Sequence, residues 1–295
     1  MTEPHRTALV RIVTRAAPGV FVVLWSTGFI GAKLGLSYAE PLTFLILRFL
    51  LAVGLLVPLA LGLGSRWPRN ALQVGHVAVA GVLLHAGYLG GVFAAIHQGL
   101  PAGVVSLIVG LQPLVTAVAA PRFLGERVSG RQWLGFALGL AGVVLVVSEE
   151  LRWQDADLAG LALAALALFS ITAGTLYQKR HGASADLAAG SIIQFTASAL
   201  VLAPLAYLLE SRRVVWSGEF LFALGWLVLV LSLGAISLLY MMLRRGEAAR
   251  ISSLFYLTPP VTAVIAFVAF DETLGAIAVA GMGLAAAGVW LVMRG

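Results

Sequence analysis

Residues Gly99–Val147 read GLPAGVVSLIVGLQPLVTAVAAPRFLGERVSGRQWLGFALGLAGVVLVV, two apolar runs of membrane-spanning length joined by a short basic segment. Residues Gly246–Met293 repeat this order of features as GEAARISSLFYLTPPVTAVIAFVAFDETLGAIAVAGMGLAAAGVWLVM. With a shift of 146 residues, Pro113 aligns with Pro259. The other aligned pairs are Thr116 with Thr262, Glu126 with Glu272, Gly135 with Gly281 and Gly142 with Gly288. The chain is therefore a duplication of about half its length.

The rest of the sequence fits the same plan. LWSTG at 24–28 is weakly matched by LFSIT at 168–172. We therefore expect two five-helix repeats, residues 1–148 and 149–295, which together form one integral membrane domain.

The composition places the chain in the lipid bilayer. Hydrophobic residues make up 60% and charged residues 11%, and the mean hydropathy is +0.99. Soluble domains carry about 25% charged residues. The pI near 10.2 is explained by basic residues in short loops, so we expect no nucleic-acid partner. The absence of cysteine excludes disulfides, thiolate metal sites and a cysteine nucleophile.

The apolar runs predict ten transmembrane helices in an all-α membrane protein. The predicted spans are 17–37, 42–63, 71–97, 101–120, 131–148, 158–178, 186–208, 219–243, 249–270 and 274–293. No extramembrane domain is predicted. A functional site therefore has to lie between the helices.

Loop charges predict the orientation, because Lys and Arg accumulate on the cytoplasmic side. If the N-terminus is cytoplasmic, fourteen basic residues fall on that side and three on the other. The three are Arg152, Arg212 and Arg213. Both termini are then cytoplasmic. Because five is an odd number, the two repeats are expected to be inverted relative to each other, as in many secondary transporters.

Polar and aromatic residues near the middle of the spans predict a central substrate site, because burying such groups in hydrocarbon is costly. We place in it Trp25, Ser26, His85, Tyr88, Gln112, Ser170, Tyr240, Tyr256 and Thr258. Thr27, Thr172 and Ser232 lie in the same layer. Each aromatic residue could instead fill space, and His85 could be a satisfied core histidine.

Prolines interrupt two of the predicted helices at Pro113, Pro259 and Pro260. Each removes a backbone hydrogen bond and exposes carbonyl groups, which is tolerated mainly where they face protein or water. They are predicted either as hinges or helix breaks beside a cavity, or as simple packing kinks.

Arg48 and Gln194 lie at matching positions in the second helix of each repeat. Arg48 keeps its charge, so it needs a carbonyl, a partner or a substrate carboxylate. We interpret it as structural. His76, His85 and His97 are spaced too far apart on one helix to converge on a metal ion, and no metal or cofactor is predicted.

All thirteen acidic residues lie in tails, in loops or at helix ends. Proton-driven cation exporters depend on an intramembrane carboxylate. Coupling through Asp or Glu is therefore not expected, and facilitated transport or coupling through His85 stays open. Metalloprotease, nucleophile-elbow and P-loop motifs are absent, so the chain is not expected to be an enzyme.

Several motifs resemble the EamA-type ten-helix members of the drug/metabolite transporter superfamily. They are LWSTGFIGAKLGL from residue 24, LTFLILRFLLA from residue 42, and the paired Pro-to-Glu segments 113–126 and 259–272. The resemblance covers nearly the whole chain. It implies alternating access in the bacterial inner membrane and export of amino acids or related metabolites; one branch exports aromatic amino acids. Glu126 and Glu272, which match the family's motif, are interpreted as structural residues rather than substrate ligands.

The resemblance and the residues together predict an exporter of aromatic or hydrophobic amino acids that functions as a monomer. Small four-helix multidrug members depend on a Glu in their first helix, and this first helix has no acid. The alternatives are an exporter of nucleobases or other neutral planar metabolites, and, from another class, a membrane-embedded hydrolase or a non-transporting structural protein.

Overall fold

A computed structural model describes residues 3–100, 102–148, 158–182, 186–270 and 275–295. Glu272 and Arg152, both named above, lie outside these ranges. Within them the chain is helical, and the only extended pairing is an isolated bridge between Ala39 and Val214.

The helices follow the predicted spans closely, except that α1 begins well before the predicted first span of 17–37. They are α1 (Glu3–Leu36), α2 (Pro41–Gly62), α3 (Ala71–His97), α4 (Ala102–Val109 and Gln112–Leu124), α5 (Gly130–Ser148), α6 (Leu158–His181), α7 (Leu187–Leu209), α8 (Gly218–Arg245), α9 (Ala248–Ser252, Ser253–Leu257 and Thr258–Phe270) and α10 (Ala276–Arg294). Within the described ranges, nine helices have the length and hydropathy needed to cross a membrane. These nine predicted spans are confirmed.

The remaining predicted span, 249–270, is not one regular helix. In α9 a short α-helical turn is followed by a 3₁₀ segment, Ser253–Leu257, and then by a new α-helix at Thr258. In α4 a turn at 110–111 likewise precedes the helix that starts at Gln112. Both breaks come just before Pro113 or Pro259. Proline has no N–H and its ring collides with the carbonyl four residues earlier, which favours a kink or break at these positions. Pro58 and Pro204, by contrast, lie inside continuous helices.

Two helices contain a π-helical stretch near their middle, at Val82–Gly87 in α3 and Leu227–Ala235 in α8. The wider winding of a π-turn re-aims its side chains, and such turns are frequent at functional sites. His85 and Ser232 lie on these two stretches and both are fully buried.

Helix α5 packs directly against α10 through small residues. A Cβ atom added to Gly142 would lie 2.4 Å from the backbone nitrogen of Ala285, and one added to Gly288 would lie 2.4 Å from that of Gly139. Backbones this close are typical of membrane helices that associate through van der Waals contact. The glycine series in these two helices therefore serves helix packing.

Helix ends are held by carboxylates. Gly125 ends α4 in the left-handed conformation, with φ 70°, and Glu126 follows it. The Glu126 carboxylate accepts hydrogen bonds from the backbone N–H groups of Ala248 and Ala249, at 2.9 and 3.4 Å. Free N–H groups at a helix start favour such an acceptor. Glu126 thus joins the end of α4 to the start of α9, in agreement with the structural role expected for it.

A second carboxylate holds the start of α2. Glu210 accepts from the backbone N–H groups of Leu42 and Thr43 at 2.7 and 2.8 Å. In return, Glu40 accepts from the Ser211 hydroxyl at 2.7 Å. That hydrogen bond is the main reason the pKa of Glu40 is held below its usual value. The loop after α7 is therefore fastened to the start of α2.

Candidate functional site

A cavity of about 40 Å³ lies between α1, α2, α3 and α8. Its lining residues are Trp25, Gly28, Ala32, Arg48, Leu84, Tyr88, Leu89, Val92, Phe93, Leu231 and Ile236. Two of them, Trp25 and Tyr88, belong to the predicted site. Their rings are stacked, with centroids 6.4 Å apart and planes inclined by 10°. The volume holds a few water molecules, so a larger solute requires the helices to separate.

A buried chain of hydrogen bonds links four helices beside this cavity. His85 of α3 lies 3.0 Å from the hydroxyl of Tyr240 of α8. The Tyr240 hydroxyl donates to Gln194 Oε1 of α7, and Gln194 Nε2 donates to Gln178 Oε1 of α6 at 2.8 Å. Gly81 makes the approach of α3 to α7 possible, since a Cβ there would lie 2.4 Å from the Gln194 Cα.

The direction of this chain fixes the tautomer of His85. Because the single hydroxyl proton of Tyr240 is given to Gln194, the hydroxyl accepts from Nε2–H of His85. The other ring nitrogen, Nδ1, is buried and has no hydrogen-bond partner in the described residues. Phe195 and Phe49 pack on the imidazole, with ring centroids 4.7 and 5.8 Å from it. His85 therefore donates through Nε2, and in a neutral imidazole of this tautomer Nδ1 is an unused acceptor.

Arg48 projects from α2 into the same region. Its Nε donates to Ser232 Oγ on the π-helical stretch of α8 at 2.9 Å, and its side chain lines the cavity. The residue is 4% exposed. The charge thus lies inside the bundle, next to Trp25 and Tyr88.

A third group of the predicted residues joins α1 to α9. Ser26 Oγ donates to the carbonyl oxygen of Val22 at 2.7 Å and approaches that of Thr258 at 3.3 Å. Thr262 donates back to the carbonyl of Ser26 at 3.4 Å. The Thr258 carbonyl contacted by Ser26 is at the helix break before Pro259 and Pro260. The Thr258 hydroxyl has no partner in the described residues.

The other predicted residues face separate helix interfaces. Gln112 donates to Thr116 at 3.1 Å and to Ser252 of α9 at 3.0 Å. Tyr256 packs over Gly139 of α5, where an added Cβ would lie 2.3 Å from its ring. Ser170 packs against Gly87 of α3, where an added Cβ would lie 2.5 Å from its hydroxyl. Pro113 and Pro260 are buried and Pro259 is half-buried, each beside its helix break.

The structure thus places Trp25 with Tyr88, His85 with Tyr240, and Ser26 with Thr258. Gln178 was not singled out from the sequence, and Gln194 and Arg48 were noted but not placed in the site. The signal for the latter two was present: they are related by the same shift of 146 residues as Pro113 and Pro259. In the described ranges, no group of three or more His, Cys, Asp or Glu side chains is placed to hold a metal ion.

Comparison with known proteins identifies the family. The sequence model of the EamA-like transporter family matches two stretches, residues 20–148 and 158–294. The chain belongs to the EamA-like transporter family. Membership of this family and the nine apolar helices of the described chain make it a multi-pass protein of the inner membrane. They also indicate a transporter rather than an enzyme.

Curated relatives of this EamA-like chain carry transporter names. The probable amino-acid metabolite efflux pump of Salmonella typhimurium is 28% identical over 284 residues, covering 93% of this chain and 92% of the relative. The uncharacterized inner membrane transporter YedA of Escherichia coli is 27% identical, with 92% and 88% covered. The probable terminal-alkyne amino-acid exporter of Streptantibioticus cattleyicolor is 28% identical, with 92% and 91% covered.

A solved crystal structure has the same fold as this EamA-like chain. It superposes with a TM-score of 0.79 at 19% sequence identity, covering 96% of this chain and 98% of the other. At that identity the likeness concerns the fold alone.

Proposed function

We propose that this EamA-like protein exports amino acids with aromatic or hydrophobic side chains by alternating access through the cavity lined by Trp25 and Tyr88. The observation that carries the proposal is this stacked pair of rings, which lies at a cavity whose wall also holds Arg48. Aromatic faces suit a planar or apolar side chain. Arg48, which also lines the cavity, suits the charged backbone end of an amino acid.

Two of the relatives support the substrate class. One is named a probable amino-acid metabolite efflux pump and another a probable terminal-alkyne amino-acid exporter. Both align over more than nine-tenths of this chain. Shared family membership over this length supports a similar class of solute here.

The proposed mechanism uses two inverted five-helix repeats, residues 1–148 and 149–295, with both termini in the cytoplasm. The family model matches once in each half, and the loop charges support the orientation. Helix packing supports the symmetry: α1 packs on α8 and α9, as α6 packs on α3 and α4. Rocking of such repeats around a central site is the usual basis of alternating access.

The helix breaks in α4 and α9 are proposed as the hinges of this movement. They occur at corresponding positions of the two halves, before Pro113 and before Pro259 and Pro260. A few residues at segment ends can absorb a change in backbone angles that a regular helix resists. A cavity of about 40 Å³ has to enlarge several-fold to hold an amino acid, and hinges at these breaks would allow the helices to separate.

Flux through purified protein in proteoliposomes tests this proposal. Vesicles are loaded with labelled tryptophan, phenylalanine, threonine or adenine, and efflux is compared with that from protein-free vesicles. We expect efflux of tryptophan and phenylalanine and little efflux of adenine. Efflux of adenine alone would favour the alternative of neutral planar metabolites, which the same stacked pair of rings can accept. Absence of flux for every solute would contradict the proposed function.

A further inference from the structure

Arg48 presents an unbalanced positive charge to the central cavity. Among the described residues, its one hydrogen bond runs from Nε to Ser232. The N–H groups of its two terminal nitrogens have no hydrogen-bond partner there. A guanidinium group has five N–H donors arranged as a planar fork. The side of this fork that fits a carboxylate is therefore unused.

Among the described residues, no carboxylate balances the charge of Arg48. In the part of the chain that the structure describes, Arg48 forms no salt bridge. By sequence, all thirteen acidic residues lie in tails, in loops or at helix ends. A buried cation without a partner is strongly unfavourable. A negatively charged group brought in by a ligand would remove that cost.

We propose that Arg48 binds the carboxylate of the transported solute, an assignment that rests on the proposed export of amino acids. Arginine binds carboxylates in two-point geometry, because its parallel N–H groups match the two carboxylate oxygens. With the carboxylate at Arg48, the amino-acid side chain lies against Trp25 and Tyr88 of the same cavity. The site therefore selects solutes that carry a carboxylate and an apolar side chain, and discriminates against neutral nucleobases.

Ser232 has a supporting role in this arrangement. Its hydroxyl accepts a hydrogen bond from Arg48 Nε. This bond holds the guanidinium in place and leaves the two terminal nitrogens available for a two-point contact with a carboxylate. A purely structural Arg48 would tie α2 to α8 through this bond alone. Such a role gives no reason for transport to depend on the carboxylate of the solute.

Competition against efflux of labelled phenylalanine from proteoliposomes tests the inference. The competitors are phenylalanine, 3-phenylpropionate, which keeps the carboxylate and lacks the amine, and phenylalaninamide, which lacks the carboxylate. For the wild-type protein we expect phenylalaninamide to compete about tenfold or more weakly than phenylalanine, since two charge-assisted hydrogen bonds are lost. We expect 3-phenylpropionate to keep measurable competition.

Variants then assign this preference to Arg48. Arg48→Gln, which installs the residue found at the matching position 194, should raise the KM for phenylalanine about tenfold or more and bring the preference for phenylalanine over its amide to about one. Arg48→Lys keeps the charge without the planar fork and should retain part of the preference. Arg69→Gln, the matched control, changes an exposed arginine that does not line the cavity and should keep both the wild-type KM and the preference.

The outcomes separate this inference from the function on which it rests. Wild-type efflux of phenylalanine with equal competition by phenylalaninamide would overturn the inference and leave the exporter intact. So would an Arg48→Gln protein that keeps the wild-type preference. Absence of phenylalanine efflux from the wild type would overturn the proposed function and the inference together. If Arg48→Gln does not elute as a folded protein, the wild-type competition series decides alone.

Discussion

His85 of α3 donates a hydrogen bond to the hydroxyl of Tyr240 of α8 over 3.0 Å, and this bond joins the two halves of the chain. The same Tyr240 hydroxyl donates to Gln194 of α7, so one oxygen bonds two buried side chains. All three side chains are buried. Removal of that oxygen leaves a donor and an acceptor unsatisfied inside the bundle.

Tyr240→Phe is therefore expected to destabilise the folded protein by about 1–3 kcal/mol, the usual cost of buried polar groups left without partners. The measurement is the free energy of unfolding, or the melting temperature, of the purified protein in detergent. Tyr207→Phe is the matched control, because Tyr207 is 70% exposed and its hydroxyl makes no buried bond. Equal stability of the two variants would contradict the hydrogen-bond chain.

Gly142 tests the close packing of α5 against α10. Gly142→Ala places a Cβ 2.4 Å from the backbone nitrogen of Ala285, so the helices have to separate. Overpacking of this kind costs about 1–3 kcal/mol. Gly283→Ala on α10 is the control, since nothing lies within 4 Å of its added Cβ. Thermal unfolding should show a lower midpoint for Gly142→Ala alone, and an unchanged midpoint would mean that the two helices are not in direct contact.

Glu126 tests whether the Pro-to-Glu segment is structural. Glu126→Gln weakens the hydrogen bonds to the N–H groups of Ala248 and Ala249, and we expect a loss of about 1 kcal/mol of stability. The KM for phenylalanine efflux should stay at the wild-type value, because Glu126 is not among the residues that line the cavity. Glu247→Gln, which removes only a surface ion pair of 3.6 Å, should be nearly neutral. A raised KM for Glu126→Gln would make this carboxylate part of the transport path.

An imposed pH gradient is expected to leave the rate of phenylalanine efflux unchanged. Proton-coupled transporters use intramembrane ionisable groups on the transport path. None of the thirteen acidic residues lies in the middle of a predicted span, and His85 is fully buried against Tyr240 and does not line the cavity. The measurement compares efflux with and without the gradient in the same vesicles. Efflux stimulated by the gradient would contradict this prediction. Loss of that stimulation in His85→Gln would then assign the coupling to His85.

The sequence predicted the helices well because a membrane span has a simple signature. A run of about twenty apolar residues is recognised from its length and composition alone, whichever way each residue faces. The internal winding of those helices was less accessible. Prolines indicated the breaks in α4 and α9. No feature of the sequence indicated the π-helical stretches at Val82–Gly87 (VLLHAG) and Leu227–Ala235 (LVLVLSLGA).

The site was harder to predict because depth along a helix does not say which way a side chain faces. Trp25 and Phe169 were matched by the repeat, yet Trp25 is 7% exposed and lines the cavity while Phe169 is 62% exposed. Tyr256 and Ser170 have suitable positions along their helices but pack on Gly139 and Gly87. Helix rotation is set by packing against neighbours, which one sequence does not reveal.

The central claim is that amino acids cross the membrane through the cavity lined by Trp25 and Tyr88. The most direct test measures phenylalanine efflux from proteoliposomes that contain wild-type, Trp25→Ala, Tyr88→Ala or Phe169→Ala protein. Phe169→Ala is the matched control because that ring faces outward at the position equivalent to Trp25. The account predicts that the first two variants, folded by gel filtration, lose most of the efflux and that Phe169→Ala keeps the wild-type rate. Wild-type rates in both Trp25→Ala and Tyr88→Ala would contradict it.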